Sequence, residues 1–175
     1  MPAKAGIHAE LEWTPAFAGV TETGEDVTVP ADVAPPPSVF DNFPLPPASK
    51  LLGWTLRAVD TAAGTIEIGF EADERFVNPA GTVQGGFLAA MLDDTQGPAL
   101  FAMTDGEVYA PTIDFSVSFI KPARPGRFVG KGRVVNIGKT VVFTEAELFD
   151  EEGVLVAKGT FSARAMKGEM ASAPR

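Results

Sequence analysis

The sequence predicts an α+β domain in which one long central helix is wrapped by a mostly antiparallel sheet of about six strands. A single apolar, helix-forming stretch lies in the middle of the chain, with two strand-like segments before it and four after it. One helix covers only one face of a sheet, so packing it against one antiparallel sheet is the economical arrangement of these elements.

The two strands before the helix are predicted at 51–59 and 65–71, joined by a turn at 62–64. In the second strand, every other residue is apolar over the segment Ile66 to Phe70. This period of two is typical of a strand with one buried face.

The central helix is predicted from Gln84 or Gly85 to Met103, because this stretch is rich in Ala, Leu and Met and is followed by Asp105-Gly106. Pro98 should bend or interrupt it, since proline has no backbone N–H. Beyond the helix, turn-forming residues separate four further strands, predicted at 112–120, 128–137, 140–149 and 154–166.

The chain divides into a predicted arm, a domain and a short tail. Residues 1–48 are rich in proline and show no sustained period, which indicates a disordered or loosely packed arm. Their opening resembles the conceptual translation of a bacterial intergenic repeat, so a misplaced start codon is an alternative explanation of this segment. The folded domain is expected at 49–167, followed by a C-terminal tail at 168–175.

Composition narrows the classes of function. The chain has 175 residues, 45% of them hydrophobic, which fits one core of ordinary size. Its formal charge of −9 disfavours nonspecific binding of nucleic acid. The absence of cysteine excludes a disulfide framework and a thiol nucleophile. Without an apolar run of about 20 residues or a signal peptide, the expected location is the cytoplasm, with no membrane partner.

The start of the predicted helix carries the strongest chemical signal. Gly85 and Gly86 allow a substrate to approach the backbone, and the free N–H groups of a helix start can hold a carbonyl oxygen. Asp93 places a carboxylate in the same apolar helix, about 12 Å further along. One helix cannot bring both groups to one atom, so a shared site between two subunits is expected. Asp94 is the alternative acid, on a face about 100° away.

The segments 78–94 and 111–123 resemble the hotdog-fold acyl-CoA thioesterases of the phenylacetate-degradation type. In that family an Asn, a Gly, a His-Gly-Gly turn and a helical acid recur in this order. The resemblance implies that Asn78 orients the nucleophile or the thioester, that the Gly85 N–H polarises the carbonyl, and that Asp93 is the catalytic acid. Thr112 falls where a Ser or Thr often assists. Gln84 departs from the pattern, because histidine is common at that position.

The resemblance further implies hydrolysis of an acyl-CoA thioester by a homodimer or homotetramer, with Asp93 as general base or nucleophile. Coenzyme A would be present only as part of the substrate, and no metal or redox cofactor would be needed. The remaining candidates for substrate contact are the residues beside the motif and three basic residues that could bind the phosphates of coenzyme A. They are Gln84, Gly86, Asp94, Lys121, Arg124 and Lys139.

The sequence also allows other roles for the same residues. The glycine pair could serve tight helix packing alone, Asn78 could form only a turn, and Thr112 could simply pack in its strand. A non-catalytic hotdog protein that binds acyl-CoA or an aromatic ligand would need the pocket but not the acid. A hotdog dehydratase is disfavoured, because it would resemble that family through a catalytic histidine and the only histidine is His8, in the predicted arm.

Overall fold

The computed structural model describes residues 37–167. Two short 3-10 helices lie at Val39–Asn42 and Glu74–Phe76. The helices are α1 (Pro47–Leu51) and α2 (Gly85–Met103), and the strands are β1 (Thr55–Asp60), β2 (Thr65–Ala72), β3 (Val108–Tyr109), β4 (Thr112–Phe119), β5 (Gly126–Ile137), β6 (Val141–Asp150), β7 (Leu155–Arg164) and β8 (Met166–Lys167).

Six of these strands form one antiparallel sheet in the order β1-β2-β5-β6-β7-β4. The long helix α2 packs on one face of this sheet, against β2, β5, β6 and β7. The predicted α+β fold with one central helix and six main strands is therefore confirmed.

The core lies between α2 and the sheet, and strand periodicity explains which residues enter it. In β6, Thr144, Ala146 and Leu148 are buried, while Glu145 and Glu147 alternate with them toward the other face. On the neighbouring strand, a Cβ at Gly130 would lie 2.1 Å from the Thr95 hydroxyl of α2. A glycine is required there because the helix approaches the sheet closely.

The first strand starts later than expected. Residues 47–51 form the short helix α1, and Gly53 then adopts a positive φ of 68° before β1 begins at Thr55. The predicted strand start at Leu51 was therefore wrong.

The last predicted strand, 154–166, is divided in the structure. Strand β7 ends at Arg164, and β8 pairs with β3 in a separate small sheet that the sequence pattern did not indicate.

Pro98 lies inside α2 without ending it. A proline cannot donate to the carbonyl four residues earlier, which here belongs to Asp94. The indole N–H of Trp54 donates to that carbonyl oxygen at 3.2 Å and replaces the missing donor. The predicted interruption of the helix is therefore absent, because a side chain from outside the helix satisfies the exposed acceptor.

Within residues 37–48, which belong to the predicted arm, Phe40 packs in ring contact with Trp54 and Phe101. Phe43 also contacts the Phe101 ring, at a centroid distance of 5.2 Å. This end of the predicted arm is therefore held against the helix, while the boundary at residue 48 stays a prediction.

His8 and the segment 168–175 lie outside the described residues. Between residues 37 and 167, no helix is long and apolar enough to cross a membrane.

Candidate active site

The start of α2 is capped by a side chain. Gln84 is the N-cap residue, and its Oε1 accepts a hydrogen bond of 3.0 Å from the Gly86 N–H. In contrast, the Gly85 N–H donates to no acceptor within residues 37–167. The cap thus satisfies one of the unpaired donors of the helix start and leaves the neighbouring donor at the positive end of the helix dipole available.

Gly85 is tightly covered by an aromatic ring. A Cβ at this position would lie 3.0 Å from Cζ of Phe119, at the end of β4. Any larger residue would have to displace that ring. Phe119 is itself 54% exposed, so the Gly85 N–H lies beside an accessible apolar side chain.

Asp93 lies about 12 Å from Gly85 along α2, and its carboxylate is held by two donors. The hydroxyl of Thr112, at the start of β4, donates to Asp93 Oδ1 at 2.7 Å. Gln96 Nε2 donates to the same oxygen at 3.2 Å and to the Thr112 hydroxyl oxygen at 3.1 Å. The structure thus brings together Asp93 and Thr112, two of the residues predicted to act in catalysis.

Gln96 was missed in the sequence. It follows Asp93 by three residues and therefore lies on the same helix face. A long polar side chain in an otherwise apolar helix was the available signal, but its partners come from β4 and β6, which only the fold brings near.

Asp94 points to different surroundings. Its carboxyl interacts with the hydroxyl of Ser49 in α1, a residue that is 5% exposed. Its Oδ2 is buried without a hydrogen-bond partner in the part of the chain that the structure describes. Burial raises the pKa of Asp94, the negative charge of Asp93 raises it further, and the Ser49 hydrogen bond opposes the rise. Asp94 therefore faces α1, whereas Asp93 faces the edge strand β4.

The Asn78 side chain is engaged in its own turn. Its Oδ1 accepts from the N–H groups of Ala80 and Thr82, at 2.9 and 3.3 Å, and its Nδ2 donates to the Thr82 hydroxyl at 2.9 Å. Gly81 completes the turn with a positive φ of 78°. These bonds fix the loop that leads into α2, which is the turn role that the sequence also allowed.

The three predicted phosphate-binding residues are all exposed but do not lie together. Lys121 and Arg124 flank Ala123, whose carbonyl accepts from the Val83 N–H at 2.8 Å, so they lie close to the helix start. Lys139 follows β5 at the opposite end of the sheet. Within one subunit, the structure therefore separates Lys139 from Lys121 and Arg124.

An open recess of about 280 Å³ has none of the predicted site residues in its lining. Two of its lining residues, Arg75 and Asp73, form an exposed ion pair at 2.8 Å. The recess is lined by Lys50, Leu51, Gly53, Glu71, Ala72, Asp73, Arg75, Gly126 and Arg127.

Within residues 37–167, no group of three or more His, Cys, Asp or Glu residues is arranged to hold a metal ion.

The chain is similar to known thioesterases. Residues 80–157 match the sequence model of the thioesterase superfamily. Acyl-coenzyme A thioesterase 13 from Homo sapiens is 30% identical over 114 residues, which span 63% of this chain and 79% of that protein. The 1,4-dihydroxy-2-naphthoyl-CoA hydrolase of Escherichia coli (strain K12) is 26% identical over 91 residues, 52% of this chain and 67% of that protein.

Solved structures show the same fold. A phenylacetic acid degradation-related protein from Ralstonia eutropha JMP134, described as a putative thioesterase, superposes with a TM-score of 0.68 at 35% identity, covering 72% of this chain and 95% of that one. A thioesterase family protein from Silicibacter pomeroyi gives a TM-score of 0.66 at 26% identity, covering 74% and 96%. The resemblance noted in the sequence is thus confirmed, and the chain belongs to the thioesterase superfamily as a thioester hydrolase with the hotdog fold.

Proposed function

We propose that this protein hydrolyses acyl-CoA thioesters at a site shared between two subunits, with Asp93 as the reacting carboxylate. The main support for the proposal is the position of the Asp93 carboxylate. Its Oδ1 accepts a hydrogen bond of 2.7 Å from the hydroxyl of Thr112, which lies at the start of the edge strand β4. The acyl-CoA substrate class is supported by the names of the human and Escherichia coli relatives.

The second subunit would pair along β4. This strand is an edge of the six-stranded sheet, and among its exposed apolar side chains are Ile113, 60% exposed, and Phe119, 54% exposed. A long apolar edge strand offers unpaired backbone groups to another chain. Pairing β4 with its own copy in antiparallel orientation would cover this edge and form a two-fold dimer.

This pairing would complete the site. Asp93 contacts the start of β4, and Gly85 contacts the end of β4 through Phe119. In an antiparallel pair, the start of one strand lies opposite the end of the other. Asp93 of one subunit would then face Gly85 of the partner subunit, which removes the separation of about 12 Å within a single helix. Two such dimers could associate into a tetramer.

In the proposed reaction, the thioester carbonyl oxygen accepts a hydrogen bond from the Gly85 N–H, which stabilises the negative charge of the tetrahedral state. Asp93 then acts on the carbonyl carbon in one of two ways. It either removes a proton from the attacking water or attacks the carbon itself to form a mixed anhydride that water hydrolyses. Both routes release a free acid and coenzyme A, and neither requires a metal or redox cofactor.

Substrate contacts follow from the same geometry. Phe115, Val117 and Phe119 lie on the face of β4 that also carries Thr112, so they offer an apolar strip beside the acid. This strip suits an apolar acyl group. Lys121 and Arg124, near the helix start, are our candidates for the phosphates of coenzyme A, and Lys139 could join them only from the partner subunit. We keep the cytoplasm as the expected location.

Turnover of a series of acyl-CoA thioesters by the pure protein tests this function. Asp93→Asn should lower kcat by at least about 100-fold, because Asn keeps the volume of Asp but accepts no proton near neutral pH. Asp94→Asn is the matched control and should lower kcat far less. If Asp94→Asn were the damaging change, the acid would be misassigned. If wild-type protein bound acyl-CoA without turnover, this chain would be a binding protein and the proposal would fail.

A further inference from the structure

We propose that Gln96, anchored by Thr144, is a positioning residue that fixes the orientation of the Asp93 carboxylate. The inference rests on the proposed function of Asp93 and adds two residues to its support. Neither Gln96 nor Thr144 belongs to the motif formed by Asn78, Gly85 and Asp93.

Both the nitrogen and the oxygen of the Gln96 amide form hydrogen bonds. The side chain is 2% exposed, and its Nε2 group donates one hydrogen bond to Asp93 Oδ1 and one to the Thr112 hydroxyl oxygen. Its Oε1 accepts from the hydroxyl of Thr144 in β6, at 2.5 Å. Thr144 is buried as well, at 3% exposure. The amide nitrogen and the amide oxygen therefore both have partners, and those of the oxygen and of the nitrogen lie on different strands or on Asp93.

The chemistry of these partners determines which way the amide points. An ionised carboxylate only accepts hydrogen bonds, so the amide nitrogen must face Asp93 and the amide oxygen must face Thr144. The carboxylate thus sets the direction of the amide, and the Thr144 hydroxyl satisfies and anchors the amide oxygen on the other side. A flipped amide would place its oxygen against the carboxylate oxygen and leave buried groups unsatisfied.

The same bonds direct the Thr112 hydroxyl. Because this hydroxyl oxygen already accepts from Gln96, its single hydrogen is free to donate to Asp93 Oδ1. Two donors are then concentrated on Oδ1, while no residue between 37 and 167 donates to Oδ2. The network therefore presents Oδ2 as the oxygen that faces water or the thioester.

Gln96 would therefore act on turnover rather than on binding. Removing its donors would let the carboxylate rotate about its terminal bond, and small losses of alignment can cost up to about 100-fold in rate. Gln96 is too buried to contact the substrate itself, so the loss should fall on kcat and leave KM nearly unchanged.

The test uses Gln96→Leu, which keeps a similar size but removes the amide. We expect kcat to fall by about 10- to 100-fold with little change in KM. In the Asp93→Asn background, the same substitution should cause almost no further loss, because Gln96 acts only through Asp93. A residue that matters only for folding would lower activity in both backgrounds by the same factor.

Thr144 provides a second test that does not alter the amide. Thr144→Val removes the hydroxyl at nearly constant volume and should lower kcat, whereas Thr144→Ser restores the donor and should restore most of kcat. Thr160→Val, on the exposed side of the neighbouring strand β7, is the control for loss of a sheet threonine hydroxyl and should leave kcat unchanged.

Two results would overturn the inference while leaving the function of Asp93 intact: full activity of both Gln96→Leu and Thr144→Val, or equal losses from Gln96→Leu in both backgrounds. Failure of the proposed function has a different signature, in which Asp93→Asn itself keeps full kcat.

Discussion

The hydroxyl of Thr112 donates to Asp93 Oδ1 at 2.7 Å and so joins the edge strand β4 to the central helix α2. The acid proposed for catalysis is thus oriented by the strand along which we propose that the second subunit pairs. A change that shifts β4 should also move the Asp93 carboxylate. Loss of the proposed dimer should therefore be accompanied by loss of turnover.

The cover of Gly85 by Phe119 makes this glycine sensitive to the smallest addition. Gly85→Ala would place a methyl group 3.0 Å from the Phe119 ring and displace either the ring or the N–H proposed to hold the carbonyl oxygen. We expect kcat to fall by about 10-fold or more, measured by steady-state hydrolysis of an acyl-CoA.

Gly97→Ala is the matched control in the same helix. A Cβ at Gly97 meets no atom within 4 Å beyond its neighbours in the chain. This variant should keep its kcat. Equal activity of the two alanine variants would contradict the role given to the Gly85 N–H.

The buried carboxyl of Asp94 should make stability depend on pH. Burial raises its pKa above the ordinary value of 3.8 in the folded protein, so the folded state binds more protons than the unfolded state above that pH. The contribution of this group to the free energy of unfolding is therefore favourable at low pH and is lost as pH rises through the folded pKa.

Asp94→Asn removes the ionisation and should make the protein more stable than wild type at pH 7. Urea denaturation of both proteins between pH 4 and 7 should show this difference shrinking as the pH falls. A difference that grew toward low pH would mean that Asp94 is stabilised as a charged group.

The hydrogen bond between Trp54 and the Asp94 carbonyl should matter because Pro98 supplies no donor. Trp54→Phe removes the indole N–H and should lower the free energy of unfolding, in part through the loss of this bond. In the Pro98→Ala background, the new backbone N–H can serve the same carbonyl, so the cost should be smaller by about 1 kcal/mol. Equal costs in both backgrounds would show that the indole acts only through packing.

The main architecture was predictable from the sequence because its signals are local. The alternation of Ile66, Ile68 and Phe70 predicts a strand with one buried face, and the apolar stretch after Gly85 predicts the helix. The helix α1 was missed because its five residues follow a run of prolines and carry no clear period. The interruption expected at Pro98 does not occur, because Trp54 supplies the missing donor from a distant segment.

Only the motif residues of the candidate site could be predicted from the sequence. The order of Asn78, Gly85 and Asp93 is visible in the sequence, and so is the distance between the helix start and the acid. The environment of each group is not visible. The partners of Gln96 lie on β4 and β6, and the carboxyl of Asp94 is buried against Ser49 of α1.

The central claim, a site built by two subunits, is tested most directly by mixing two inactive variants. Asp93→Asn and Gly85→Val, one of them tagged, are refolded together, and hybrid dimers are purified and assayed. Each hybrid dimer would contain one site with both Gly85 and Asp93 intact and one site with neither, so the purified hybrids should show about half of wild-type activity. If tagged hybrids form but show no activity beyond that of the separate variants, each subunit contains its own complete site and the shared-site account is wrong.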